Sequence, residues 1–176
     1  MSDRSTLANS RPGIATRVIV LVGLPAAGKS KASTSLASQY DSVIVSTDEL
    51  RERRFGIQFN EEIKELIFTE LIDTVASYLL KGTNVVVDTT FLNEVAGRRK
   101  FLFELRQHTI GNANEIEKIA IYFDVDINTC LSRDSKRKGG RVVGEKVIRR
   151  QSQMISVPVK NEGWDAVVTS SALHLD

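Results

Sequence analysis

The sequence predicts an α/β domain: a five-stranded parallel sheet sandwiched by helices, with a phosphate-binding loop after the first strand and a basic lid. Three observations carry this. Short, wholly apolar runs alternate with segments of helical period, the pattern of strands covered on both faces. The first run, Val18-Ile19-Val20-Leu21-Val22, leads into Gly23-Leu24-Pro25-Ala26-Ala27-Gly28-Lys29-Ser30, which has the spacing G-x-x-x-x-G-K-[ST]. The fourth apolar run is followed by a glycine-containing basic segment.

Composition sets bounds. The 176 residues suffice for one domain with a core. With 41% apolar and 26% charged residues the chain has the make-up of a soluble globular protein. A formal net charge of +2 announces no nucleic-acid partner by itself. The single cysteine, Cys130, excludes an intrachain disulfide and fits a reducing, cytoplasmic setting. No apolar run is long enough to span a membrane, and Met1 to Thr16 lacks the apolar core of a signal peptide. Residues 1–16 are expected to be a flexible tail and residues 17–176 the domain.

In the loop, glycines let the backbone curl close to phosphates without a Cβ in the way. Successive backbone N–H groups then form an anion nest at a helix N-terminus. Gly23, Ala26, Ala27, Gly28, Lys29, Ser30 and Lys31 are the expected nucleotide contacts. Lys29 reaches the β- and γ-phosphates of ATP, and the Ser30 hydroxyl is the expected Mg²⁺ ligand. The helix runs on to Gln39.

Ser42 to Val45 reads as the second strand, and Ser46 with Glu49 has capping-box spacing for a helix that follows. Asp48 has two readings. It is an acid favourable to the helix dipole, or, lying past a strand end beside the phosphate loop, a base for an attacking hydroxyl. Arg51, one turn later, can hold an anionic acceptor. Phe55 to Phe59 is a connection. Asn60 is an N-cap for a helix whose buried stripe is Ile63, Leu66, Ile67, Leu71, Val75, Tyr78 and Leu79, closed by Lys81-Gly82.

The third strand, Asn84 to Asp88, ends on an acid that either caps a turn or helps place Mg²⁺, its waters or the acceptor. Thr89 and Thr90 add hydroxyls. Asn93 and Glu94 open a helix that buries Val95, Phe101, Leu102 and Leu105 and carries Arg98, Arg99 and Lys100 as a solvated face. His108 and His174 are isolated. Gly111 to Asn114 is a loop before the fourth strand, Ile119 to Asp124, and Asp126 caps a helix to about Asp134 in which Cys130 packs. From Arg133 to Arg150 there are eight Lys or Arg against two acids, with Gly139-Gly140 between them. This is a solvated basic loop or a phosphate-covering lid, and Arg133 and Arg137 share a helical face if the helix continues. Gly144 to Met154 is helical, and Trp164 to Val168 is the fifth strand.

Taken together these residues resemble the phage-type polynucleotide 5′-hydroxyl kinases and the wider group of small P-loop kinases, over about Val18 to Met154. The resemblance rests on Gly23 to Ser30, Ser46 to Arg51, Val87-Asp88-Thr89-Thr90 with Arg98 or Arg99, Phe123-Asp124-Val125, and Arg133 to Gly139 followed by Val147-Ile148. It implies a P-loop kinase that uses ATP and Mg²⁺ and takes an RNA or DNA 5′-hydroxyl end as substrate. It implies a catalytic set of Lys29, Asp48, Arg51, Asp88 and Arg137: Asp48 as base, Arg51 on the acceptor's nearby phosphate, Asp88 orienting Arg51 and the acceptor, Arg137 on the donor phosphates and Arg133 beside the nucleotide. The family usually has Asn where this chain has Thr90, and 176 residues are expected to hold the kinase domain without the phosphatase domain of the best-known phage enzymes. Two other functions stay open: a kinase of a small-molecule hydroxyl (amino sugar, antibiotic, metabolite, or an aminoacyl-tRNA, since the loop is similar to that of seryl-tRNA kinases) and an ATP-sensing module that transfers nothing.

Overall fold

The computed structural model describes residues 14–56, 60–112, 115–139 and 142–173. Most of the expected tail, the ends of the 55–59 and 111–114 connections, Gly140, Arg141 and His174 lie outside them. Five strands form one sheet: β1 (Ile14–Gly23), β2 (Ser42–Ser46), β3 (Asn84–Asp88), β4 (Glu115–Phe123) and β5 (Ala166–Thr169). β1 begins at Ile14, so the last three residues expected as tail are strand. The order is β2-β3-β1-β4-β5 and every pairing is parallel. The helices are α1 (Lys29–Gln39), α2 (Thr47–Phe55), α3 (Glu61–Leu80), α4 (Val95–His108), α5 (Ile127–Ser135) and α6 (Glu145–Met154).

The apolar run of β1 is fully buried because the sheet is covered on both faces, and its alternation divides the core. Val18, Val20 and Val22 join residues of α2, α3 and α4 in one layer, while Ile19 and Leu21 join α1, α5 and α6 in the other. Each such aliphatic side chain contributes about 1.5–3 kcal/mol by leaving water. The stripe of α3 is shifted from the expected one. Ile63, Ile67, Leu71, Val75 and Leu79 are buried, but Leu66 and Tyr78 are exposed, and Phe68, Ile72 and Ala76 are buried instead. The apolar stripe is wider than expected, extended by Phe68, Ile72 and Ala76.

Helix starts follow their caps in two cases. The Asn60 side chain accepts the Ile63 N–H at 2.8 Å, and Asp126 accepts from Asn128 and Thr129. α2 starts where expected, but Ser46 makes no side-chain capping bond, so the capping box is not formed. Asp48 and Glu49 in its first turn suit the helix dipole. Gly97 in α4 is imposed by packing: a Cβ there would lie 2.5 Å from the Phe91 carbonyl oxygen. Among the described residues no helix is long and apolar enough to cross a membrane.

Candidate active site

β1 has partners on both sides, β3 and β4, and its C-terminal end is where the sheet order reverses, the place where open α/β sheets bind ligands. The loop that leaves it is shaped by three residues. A Cβ on Gly23 would sit 2.7 Å from the Phe123 Cβ, so only glycine lets β1 and β4 pass so closely. Gly28, the N-cap of α1, has φ 103, and Ala26 has φ 62. A left-handed alanine costs on the order of 1 kcal/mol. Ala27 N–H closes a turn on the Leu24 carbonyl at 3.2 Å, and Ala32 N–H is the first to bond back along α1, to Gly28. The N–H groups of Lys29, Ser30 and Lys31 therefore have no carbonyl of the helix to reach and point out of its N-terminus.

Lys29 is buried, and its Nζ donates to the carbonyls of Gly23 at 2.7 Å and Leu24 at 2.8 Å. Burial lowers its pKa from 10.5 to about 8. Among the charges around it Asp88 opposes that shift most, Asp48 opposes it weakly, and Arg137 adds to it. The structure thus gathers Asp88, Asp48 and Arg137 around the loop lysine. Cys130 lies near it too, with burial raising its thiol pKa, and is packed in the core as expected.

The neighbouring edge is built by register. Ser46 of β2 pairs with Asp88 of β3, which pairs with Leu21 of β1. The two chains leave the sheet side by side, and Thr47 and Thr89, both buried, are joined hydroxyl to hydroxyl at 2.9 Å. Asp48 follows at once. Its side chain is 89% exposed and lies 3.6 Å from Arg51 Nη2. Arg51 is mostly covered and donates through Nη1 to the Gly56 carbonyl at 3.1 Å, which fixes the guanidinium beside the carboxylate.

The basic segment lies over the loop at one end. Arg133 Nη1 is 3.3 Å from the Ala27 carbonyl and 3.5 Å from that of Ala26. α5 stops at Ser135, so Arg137 lies past the helix and not on one face with Arg133. Asp134, unsuspected from sequence, organises the segment. Buried, it accepts the N–H groups of Val143 at 3.2 Å and Gly144 at 2.9 Å and lies 3.5 Å from Arg137. One carboxylate therefore ties the far end of the basic segment to its start.

Arg98 corrects the expectation of a solvated face. It is fully buried and forms a two-pronged pair with Glu162, Nε to Oε2 at 2.6 Å and Nη2 to Oε1 at 2.8 Å. Its Nη1 donates to the carbonyls of Leu92, Asn93 and Ser156. Burial pushes the Glu162 carboxyl up, but hydrogen bonds from Arg98 and Trp164 outweigh it and hold the group below its ordinary range. The signal was present: Arg98 stands three, four and seven residues before the buried Phe101, Leu102 and Leu105, on their face of α4.

Residues 18–158 match a protein family described as an AAA domain. No curated protein matches the chain significantly. Among solved structures the chain is similar to a sugar kinase from Janibacter sp. HTCC2649, with 15% identity and TM-score 0.62 over 91% of this chain and 90% of that one. It is similar to a chain of the Pnkp1/Rnl/Hen1 RNA repair complex, with 20% identity and TM-score 0.62 over 87% of this chain and 46% of that one. It is also similar to a fungal RNA kinase, with 14% identity and TM-score 0.63 over 89% of this chain and 75% of that one. These likenesses establish an α/β P-loop kinase fold.

Proposed function

The chain belongs to the AAA domain family, and from that premise we propose that it is an ATP-dependent kinase that phosphorylates the 5′-hydroxyl end of RNA or DNA. The observation that carries this reading is the Asp48–Arg51 pair, a carboxylate and a fixed guanidinium 3.6 Å apart beside the phosphate loop. A base alone serves any hydroxyl. A guanidinium one turn away suits an acceptor that carries a phosphate at a set distance from the hydroxyl, as every nucleic-acid end does.

In this reading the nest N–H groups and Lys29 hold the β- and γ-phosphates, with Arg133 and Arg137 arriving from the lid side. Arg51 binds the acceptor phosphate and sets the 5′-hydroxyl toward Asp48. Asp48 takes the hydroxyl proton as the oxygen bonds to the γ-phosphorus. The bond from that phosphorus to the β,γ-bridging oxygen breaks, and ADP leaves. The Ser30 hydroxyl, exposed in the first turn of α1, and the half-buried Asp88 carboxylate are hard oxygen donors of the kind that suit Mg²⁺, which keeps most of its positions for water and phosphate. Bound there, Mg²⁺ neutralises phosphate charge.

A second reading, a kinase of a small-molecule hydroxyl, is favoured by one observation: the chain spans 90% of the sugar kinase it is similar to but 46% of the RNA repair chain. Incubation with γ-labelled ATP and a panel of acceptors separates the two. The proposal expects label on a 5′-hydroxyl oligonucleotide and none on a sugar. Label on a sugar and on no oligonucleotide replaces it with the second reading.

A further inference from the structure

We propose that Asn93 is a positioning residue for the phosphate loop's hold on Mg-ATP, joining the entrance of that loop to the helix that follows the basic segment. The inference rests on the nucleotide-binding half of the proposed function and not on its choice of acceptor.

Asn93 is 4% exposed, and every polar group it has is engaged. Its N–H donates to the Thr90 carbonyl at 3.3 Å. Its carbonyl accepts from Arg98 Nη1 at 2.9 Å and from Ser156 N–H at 3.0 Å. Its Oδ1 accepts the Gly23 N–H at 3.0 Å, and its Nδ2 donates to Gln151 Oε1 at 3.2 Å. The orientation of the carboxamide follows from chemistry, because a backbone N–H can only donate.

The place of these bonds gives them a role. β3 ends at Asp88, level with Leu21 of β1, so Gly23 lies two residues beyond the last β3 partner. Asn93 supplies the acceptor that a longer β3 would have supplied. The carbonyl of the same Gly23 holds Lys29 Nζ at 2.7 Å. Gly23 is thus gripped through its N–H by Asn93 and grips the loop lysine through its oxygen. On the other side Gln151 belongs to α6, whose start is tied to the lid through the Gly144–Asp134 bond. The buried Arg98–Glu162 pair fixes the Asn93 main chain so that its side chain can span the two. A shift of α6 therefore bears on the loop that holds the phosphates, and the reverse.

A buried amide with a structural role alone would affect only melting. The test is the Kd for Mg-ATP, with no acceptor present, measured calorimetrically well below the melting temperature of each protein. The proteins are wild type, Asn93→Leu, Gln151→Leu and the double variant. Losing hydrogen bonds of this kind should weaken binding about tenfold in Asn93→Leu and about threefold in Gln151→Leu. The double variant should bind no worse than Asn93→Leu, because Gln151 acts through Asn93. Unchanged Kd values with lowered melting temperatures, or effects of the two changes that simply multiply, overturn the proposal. If Asn93→Leu does not fold, Gln151→Leu decides alone, and a wild-type Kd overturns it. A wild-type protein that binds no Mg-ATP removes the nucleotide reading together with this one, whereas failure to label an oligonucleotide leaves this result untouched.

Discussion

Raising the pH through 8 should loosen the protein's hold on Mg-ATP, and the cause is the burial of Lys29. Its pKa is lowered from 10.5 to about 8 because the ammonium has left water for two carbonyls and a closed loop. A shift of that size disfavours the charged form by about 3 kcal/mol. Phosphate oxygens placed against Nζ oppose it, so the complex keeps its proton at pH values where the free protein has lost it. Binding above pH 8 then takes up a proton, and affinity falls by up to tenfold per pH unit. Between pH 7.5 and 9.0 the Kd should rise roughly eightfold if the complex titrates at the ordinary lysine value. The same shift acts on folding with the opposite sense: between about 8 and 10.5 the unfolded chain holds the extra proton, so this group makes stability rise with pH. The assay is calorimetric titration at both pH values in buffers of different ionisation enthalpy, which counts the protons. Lys29→Arg, which does not titrate in this range, should bind with a flat pH profile. A flat wild-type profile with no proton uptake at pH 9 refutes the reasoning, since Lys29 is then either fully charged in the free protein or away from the phosphates.

Asp48→Asn should leave Mg-ATP affinity near that of wild type and slow transfer by roughly 10²–10⁴, the usual worth of general acid–base catalysis, as read by single-turnover kinetics. Unslowed transfer removes Asp48 from the role of base. Glu162→Gln should strip Arg98 of its buried partner at a cost of about 3–5 kcal/mol, visible as a large drop in melting temperature. The Glu162 carboxyl is held below its ordinary 4.5, so its contribution to stability is present above that pH and is lost as the pH falls through the lowered value. Glu162→Gln should accordingly show a shallower loss of stability under acid than wild type, and equal acid slopes would contradict that assignment.

The sheet was legible because its strands are nearly pure apolar runs, and a parallel strand covered on both faces leaves little else for such a run to be. The loop was legible because its spacing is imposed by backbone geometry at Gly23 and Gly28. What the sequence hid is partnership. Arg98 lies 64 residues from Glu162, and a cation followed by two more reads as surface until that partner is in view. Its helical phase with Phe101 and Leu105 was the available sign, and residue type overrode it. Asn93 read as a helix start, because a carboxamide before a helix has an ordinary local use, while its observed bonds run to Gly23 and Gln151. Asp134 was one of two acids in a basic run, yet it is the buried anchor of that run. α2 began where expected for another reason, since Ser46 makes no cap bond and the first-turn acids remain.

The central claim is that Arg51 reads a phosphate beside the reacting hydroxyl. The measurement that tests it most directly is kcat/KM for a nucleoside 3′-monophosphate against the bare nucleoside, in wild type and in Arg51→Ala. A hydrogen-bonded charge pair of this kind is worth about 1.5–3 kcal/mol, so wild type should prefer the monophosphate by roughly 10- to 100-fold. Arg51→Ala should lose most of that preference while its use of the bare nucleoside stays within a few-fold of wild type. Equal use of both acceptors by wild type, or a preference that survives in Arg51→Ala, would contradict the claim.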